Sequence, residues 1–358
     1  MTRVLLLSRY SRSGASSRLR TLQYLPYLEA RGWQVDVHPF YSESYLNYFY
    51  QKGHRRWSDM LASYLKRAGL MKALRHYDLI WLEKEIFPWL PALMEKVIHR
   101  ERIPYVVDYD DAIFHKYDLH SSRIVRRVLG RKIDTVMACA ELVIAGNSYL
   151  SKRAQDVAGA KNVVVLPTVI DLTRYHMHRT KEDTRFTIGW IGSPTTAVYL
   201  KPVLPLLREL HTQLGIRVVL VGANKDQFPQ EPFECRPWSE HTEVKSIQGF
   251  DVGIMPLPDT PWAKGKCGYK LIQYMACGVP VVASDIGANR DIIDHGRQGF
   301  LTTTLKQWCE AITGLYRSAD LRTSMSLESR KRVEKRYHLG ITAPELENHL
   351  RRIASRAI

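Results

Sequence analysis

KGKCGYKLIQYMACGVPVVAS, residues 264 to 284, sets Lys264 and Lys266 on either side of a glycine, in front of a run whose apolar residues recur at helical spacing. It breaks at Gly278-Val279-Pro280 and ends in a continuous apolar stretch. Period 3.6 followed by a short unbroken apolar run predicts a helix over Tyr269–Ala276 and a buried parallel strand over Val279–Ala283. A basic, glycine-bearing loop at such a helix start gathers backbone N–H groups at the positive end of the helix dipole, which is a site for phosphate.

The same alternation runs through the chain. Val4–Leu7, Val35–His38, Leu79–Leu82, Tyr105–Val107, Leu142–Ile144 and Val163–Leu166 read as buried strands, with helical stretches over Ser17–Arg31 and Ser121–Ala138. A second series follows: Thr187–Ile191, Arg217–Val221, Val252–Met255, Val279–Ala283 and Gly299–Thr302, with helices around Lys201–Leu214, Tyr269–Ala276, Leu305–Ser318 and Ala343–Ile353. Strands alternating with helices predict α/β architecture with two doubly wound parallel sheets. The polar, aperiodic stretch PTVIDLTRYHMHRTKEDTR marks the join. The expected organisation is an N-terminal Rossmann-like domain over 1–170, a linker over 171–185, a C-terminal Rossmann-like domain over 186–340 and a C-terminal helix over 341–358. Ligands of such sheets bind outside the carboxyl ends of the strands, so the expected site is a cleft between the two domains.

Composition agrees with a globular chain. The 358 residues suffice for two cores, and 45% apolar with 25% charged residues excludes a disordered or fibrous class. A net charge of +16 favours anionic partners. Five scattered cysteines without CxxC spacing suggest neither a disulfide framework nor a zinc site, and fit a reducing cytoplasm. No apolar run approaches the roughly 20 residues of a membrane span.

The run FDVGIMPLPDTPWAKGKCGYKLIQYMACGVPVVASDIGANRDIIDHGRQGFL, Phe250 to Leu301, resembles the donor-binding half of family 4 (group 1) retaining glycosyltransferases of the GT-B fold. GWIGSPTT, DYDDA and GNSYL extend the resemblance along most of the chain. It implies two doubly wound Rossmann-like domains facing across a cleft, with a nucleoside-diphosphate sugar held by the C-terminal domain and a saccharide or lipid-linked acceptor by the N-terminal one. It implies retention of configuration and an acceptor in surface polysaccharide or glycolipid synthesis. A non-catalytic nucleotide-sugar-binding or scaffold relative and a GT-B epimerase are the alternatives.

The family pattern has a loop glutamate at the donor sugar and a second glutamate eight positions later for the ribose hydroxyls. Here those positions are Gly265 and Gln273. Gln273 retains an acceptor oxygen, whereas Gly265 offers backbone alone. Lys264, Lys266 and Lys270 would supply charge for the diphosphate and stabilise the leaving group, Lys266 above all, or else form a solvated entrance to the helix. Ser193 and Thr195 in GWIGSPTT suit a phosphate loop or a helix N-cap. Asn289 lies beside the donor in the resemblance and also suits a cap.

VVDYDDAIFHKY presents Asp108, Asp110 and Asp111 at a strand end. Taken alone, this spacing suggests a divalent cation. The GT-B-like pattern and the lysine-rich loop favour a metal-independent reaction with no cofactor. Asp110 then orients the donor or receives the acceptor proton, or caps the next helix. Gly14 permits close backbone approach after the first strand, Arg18 and Arg20 can reach an anion, and Glu83 and Glu85 stand with Asp108 as acceptor-side candidates. Trp238 could stack on a base or fill core.

From Lys52 to His76 there are seven Lys/Arg against Asp59, interleaved with Trp57, Leu61, Tyr64 and Leu65. This suits peripheral contact with an anionic membrane on the cytoplasmic face, or a packed helix with a solvated basic surface. No nucleic-acid module is recognisable.

Overall fold

The computed structural model describes residues 2–54, 56–178 and 184–355, so Arg55 and part of the expected linker lie outside the described residues. The chain forms two compact units. The first comprises Met1–Thr168, Gly265–Cys267 and Thr342–Ile358; the second comprises Val169–Lys264 and Gly268–Ile341.

In the first unit, β1 (Thr2–Leu7), β2 (Trp33–Val37), β3 (Leu79–Glu83), β4 (Tyr105–Tyr109), β5 (Leu142–Ala145) and β6 (Val163–Val165) form one sheet in the order β2-β1-β3-β4-β5-β6. Every pairing is parallel. The central strands are apolar along most of their length, and Val4–Leu7 and Leu79–Leu82 are buried throughout, the pattern of strands covered on both faces. The strand order reverses between β1 and β3, so the loops that leave their carboxyl ends flank the place where doubly wound sheets bind ligands.

In the second unit, β7 (Thr187–Ile191), β8 (Arg217–Val221), β9 (Glu234–Arg236), β10 (Val252–Met255), β11 (Val281–Ser284) and β12 (Gly299–Thr302) are ordered β12-β11-β10-β7-β8-β9, all parallel. Here the reversal falls between β7 and β10. The loop from Gly192 follows β7, and the helix that carries Lys270 packs against β10.

Helices used below are α1 (Ala15–Arg20), α2 (Trp57–Leu70), α3 (Leu93–Arg100), α4 (Arg123–Leu129), α5 (Lys132–Cys139), α6 (Glu243–Gln248), α7 (Tyr269–Ala276), α8 (Ala319–Arg336) and α9 (Leu339–Ala354). Several differ from the sequence expectation. Ser17–Arg31 is two helices, α1 and Leu25–Glu29, because Pro26 cannot continue a preceding helix and begins a new one. Ser121–Ala138 breaks at Gly130, where a Cβ would stand 2.3 Å from the Arg126 carbonyl oxygen. The strand expected from Val279 begins at Val281, after Gly278 at φ 70° and Pro280, which has no N–H. Strand β9 and helix α8 were not expected at all. The 18-residue α8 buries only Met325, Ser329 and Val333, too thin a stripe to read as periodic.

Candidate functional site

In the second unit, β7 runs out at Gly192. A Cβ there would lie 2.4 Å from the Trp190 ring and 2.6 Å from Lys270 Nζ, so the loop needs glycine to close over them. Lys270, on the first turn of α7, holds its ammonium 4.2 Å from the Trp190 ring centroid and donates to Thr196 Oγ1 at 3.4 Å. The Ser193 N–H donates to Thr196 Oγ1 at 3.1 Å, and the Ser193 and Thr195 hydroxyls are 2.8 Å apart. The loop contains no cation of its own, and a lysine from α7 reaches it. Its charge, the hydroxyls and the loop backbone are thereby gathered in one turn, the kinds of group that anion sites use.

Other candidates of this unit are placed differently. Lys264 pairs with Asp259 at 2.8 Å. Asn289 is buried and donates to the Ser284 carbonyl at 2.9 Å, so it ties the loop after β11 rather than capping a helix. Gln273 is buried on α7, and its Nε2 donates to the Tyr175 hydroxyl at 3.0 Å and to Glu243 Oε2 at 3.3 Å. Glu243 opens α6 and also accepts from Tyr175 at 2.6 Å and from the half-exposed Trp238 indole at 2.9 Å. Trp238 therefore anchors this network by its N–H. Nothing in the sequence marked Glu243 beyond an acid at a helix start.

In the first unit the three aspartates are held by internal cations. Arg20 on α1 donates to both oxygens of Asp108, at 2.8 and 3.0 Å. Lys84 pairs with Asp110 at 2.8 Å and with Asp111 at 2.7 Å. Lys84 adopts φ 67°, a left-handed conformation that a lysine holds only where surrounding contacts compensate for the strain. Ser16 donates a hydrogen bond to Asp110. Burial would raise the Asp110 pKa, but the Lys84 charge and the hydrogen bonds from Lys84 and Ser16 outweigh it and bring it down to about 2. The aspartates do not cap the following helix. Among the described residues, no group of three or more His, Cys, Asp or Glu side chains is placed to hold a metal ion.

Glu83 is buried, accepting from the Arg9 N–H at 2.9 Å and from the Ser17 hydroxyl, and burial raises its pKa. Glu85 lies among Arg9 at 2.9 Å, Lys132 of α5 and Tyr117 at 2.8 Å. Burial opposes its ionisation, yet Lys132 and Arg9 pull its pKa down to about 2. Its contacts are thus internal. Arg18 is also buried and donates to the Arg12 carbonyl at 3.3 Å. Gly14 is required by packing, since a Cβ would come within 2.2 Å of the Tyr10 side chain.

The segment 265–267 belongs to this unit. Asn147, in GNSYL, donates to the carbonyls of Gly265 at 3.0 Å and Lys266 at 3.2 Å. Cys267 Sγ donates to the Asp110 carbonyl at 3.0 Å. A Cβ on Gly265 would meet Ala112 Cβ at 2.4 Å and its nitrogen at 2.7 Å. The backbone that carries Lys266 is thereby fixed beside Asp110. Sequence reading did not identify Lys84 or Asn147 as its supports, because both act across long sequence separations.

Residues 185–318 match the family described as Glycosyl transferases group 1. Glucosyltransferase 3 of Streptococcus parasanguinis is 24% identical over 220 residues, which are 56% of this chain and 62% of that relative's length. Solved structures resemble the whole chain. A sucrose-phosphate synthase from Thermosynechococcus elongatus superposes with a TM-score of 0.71 at 13% identity, covering 99% of this chain and 100% of that one. HepE of Anabaena, solved with UDP, gives 0.71 at 16% identity with 98% and 99% coverage. A glycosyltransferase from Rickettsia africae gives 0.72 at 13% identity with 98% of each chain covered. The protein therefore has the GT-B fold, and its residues 185–318 match the glycosyl transferases group 1 family.

Proposed function

We propose that the protein is a retaining, metal-independent glycosyltransferase that takes a sugar from a nucleoside-diphosphate donor, for an acceptor in surface polysaccharide or glycolipid synthesis. The observation that carries the donor assignment is the meeting of Lys270 with the Ser193–Thr196 loop at the point where the second sheet reverses. A diphosphate on that turn would meet a cation, hydroxyls and backbone donors at once. HepE, of the same fold, has been solved with UDP and with UDP-glucose. Metal independence is supported by the aspartates, each of which is already ion-paired, Asp108 with Arg20 and Asp110 and Asp111 with Lys84. Lys84 and the Ser16 hydroxyl hold Asp110 as a carboxylate, which suits electrostatic orientation beside Lys266. Thermal unfolding with a panel of nucleoside diphosphates and their sugars tests the donor site, since a tight ligand raises the midpoint by mass action. Stabilisation by one nucleotide and sugar release from its donor, both persisting in EDTA, are expected. No stabilisation by any would refute the reading, and stabilisation without turnover would favour a non-catalytic binder.

The acceptor side is proposed to rest on an anionic membrane. Helix α2 leaves Trp57, Leu61 and Leu65 at 80, 62 and 65% exposure, four residues apart on one face, while Met60 and Tyr64 pack inward. Tyr64 stacks on Phe87 at 6.1 Å, and Trp89 meets Tyr117 at 5.4 Å and His120 at 5.7 Å. Beyond these rings the chain exposes Leu90, Leu93 and Val97 after Trp89, and Leu119, Ile124 and Val128 after Tyr117. Arg56, Lys66, Arg123, Arg126 and Arg127 are exposed among them. Exposed apolar side chains and cations carried on the same helices suit the boundary of an anionic bilayer. No helix among the described residues is long and apolar enough to cross one. Arg67 takes no part, being buried and donating to the Ser8 and His38 carbonyls.

A further inference from the structure

At residue 273 the carboxylate implied by the family resemblance is absent, and a carboxylate from α6 stands 3.3 Å from the amide that replaces it. We infer that Glu243 is a positioning residue that locks the Gln273 amide, so that its carbonyl oxygen alone is presented to the ribose hydroxyls of the bound nucleotide. This rests on the nucleotide-sugar reading above.

A glutamine has two amide hydrogens and one carbonyl oxygen, and which end faces a ligand depends on its neighbours. Both hydrogens of Gln273 are engaged, by the Tyr175 hydroxyl and by Glu243 Oε2. The Tyr175 hydroxyl spends its own hydrogen on Glu243 Oε1, so toward Gln273 it is an acceptor. The Trp238 indole, a donor with no acceptor capacity, holds Oε2 from the other side. Apart from the one that Gln273 gives to Tyr175, the hydrogens of the cluster thus point toward the Glu243 carboxylate. Turning the amide over would set its carbonyl oxygen against that carboxylate and against an oxygen that has no hydrogen left to give. The polar atom of Gln273 left for a ligand is therefore an acceptor, as a glutamate oxygen would be. The charge is kept, one residue removed from the ligand, and restoring glutamate at 273 alone would set two carboxylates in contact.

The reciprocal exchange tests this. Binding of UDP, GDP and ADP and of their 2′-deoxy forms would be measured by calorimetry on the full chain. The wild-type protein should favour the ribonucleotide by about tenfold, the range of one hydrogen bond in a desolvated site. Glu243→Gln should reduce that preference to within about twofold by freeing the amide to turn. Gln273→Glu should weaken both forms together, and the double variant Glu243→Gln/Gln273→Glu should regain the preference. Tyr175→Phe, which keeps Glu243 and Trp238, should give an intermediate ratio and serves if a charge variant fails to fold. A ribose preference that survives Glu243→Gln, or a double variant that does not recover it, overturns the role of Glu243 and leaves the donor reading intact. A wild-type protein that binds a diphosphate without ribose preference overturns it too. Failure of the wild-type protein to bind any of the diphosphates overturns both.

Discussion

Gly265 shows why a familiar residue cannot simply be put back. The position where the resemblance implies a glutamate has its backbone against Ala112, with a Cβ 2.4 Å from that methyl group. Gly265→Glu is therefore expected to destabilise the protein by about 1–3 kcal/mol through overpacking, and to confer no gain in donor turnover. Urea unfolding and a donor-release assay check the two halves. Glu85 gives a second expectation. Its folded-state pKa of about 2 lies below the ordinary glutamate value, so its ion pairs stabilise the fold above about pH 4.5, and that contribution is lost as pH falls through about 2. The loss is on the order of a few kcal/mol. Comparing urea midpoints from pH 7 to pH 2, wild type should fall more steeply than Glu85→Gln. The departures at 265 and 273 were legible in the sequence. Their reasons were not, since Ala112 and Glu243 meet them across 153 and 30 residues of chain.

At the scale of elements, the strand-loop-helix order was the readable part. Thr187–Ile191, Arg217–Val221, Val252–Met255, Gly299–Thr302 and Tyr269–Ala276 have the bounds their apolar runs predict, because buried strands and a strongly amphipathic helix leave little choice of register. Polar elements were invisible. Strand β9 is a three-residue edge, and α8 is charged almost all round. The loop after β7 shows how a site arises between readable elements: its hydroxyls come from one and its cation from another. Lys270→Ala should weaken nucleoside diphosphate binding by roughly 10- to 100-fold, the loss of a charged hydrogen bond in a partly desolvated turn. It should cost little stability. Calorimetric titration of wild type and variant decides this, and equal affinities would move the phosphate elsewhere.

For the molecule as a whole, the uneven spread of charge and exposed apolar surface leads to a prediction about vesicles. The protein should co-sediment with liposomes containing anionic lipid, release as salt is raised, and ignore neutral ones. Arg56→Glu with Lys66→Glu, and separately Ile124→Ser with Val128→Ser, should each reduce the bound fraction severalfold, although the two pairs lie on different helices. Equal binding to neutral vesicles would assign the surface to something other than an anionic bilayer. The composition of the first unit has its own outcome during synthesis. Residues 342–355 return to it, where Thr342 meets the Tyr24 hydroxyl at 3.1 Å and Glu347 meets the Trp33 indole at 3.3 Å and Arg31 at 3.2 Å. A nascent chain that has released residues 1–168 still lacks these partners, and lacks 265–267 as well, until the ribosome has passed through the second unit. The earlier-translated unit is thus the later to be completed: all six of its strands emerge first, and its last contacts form only after the second unit has been made.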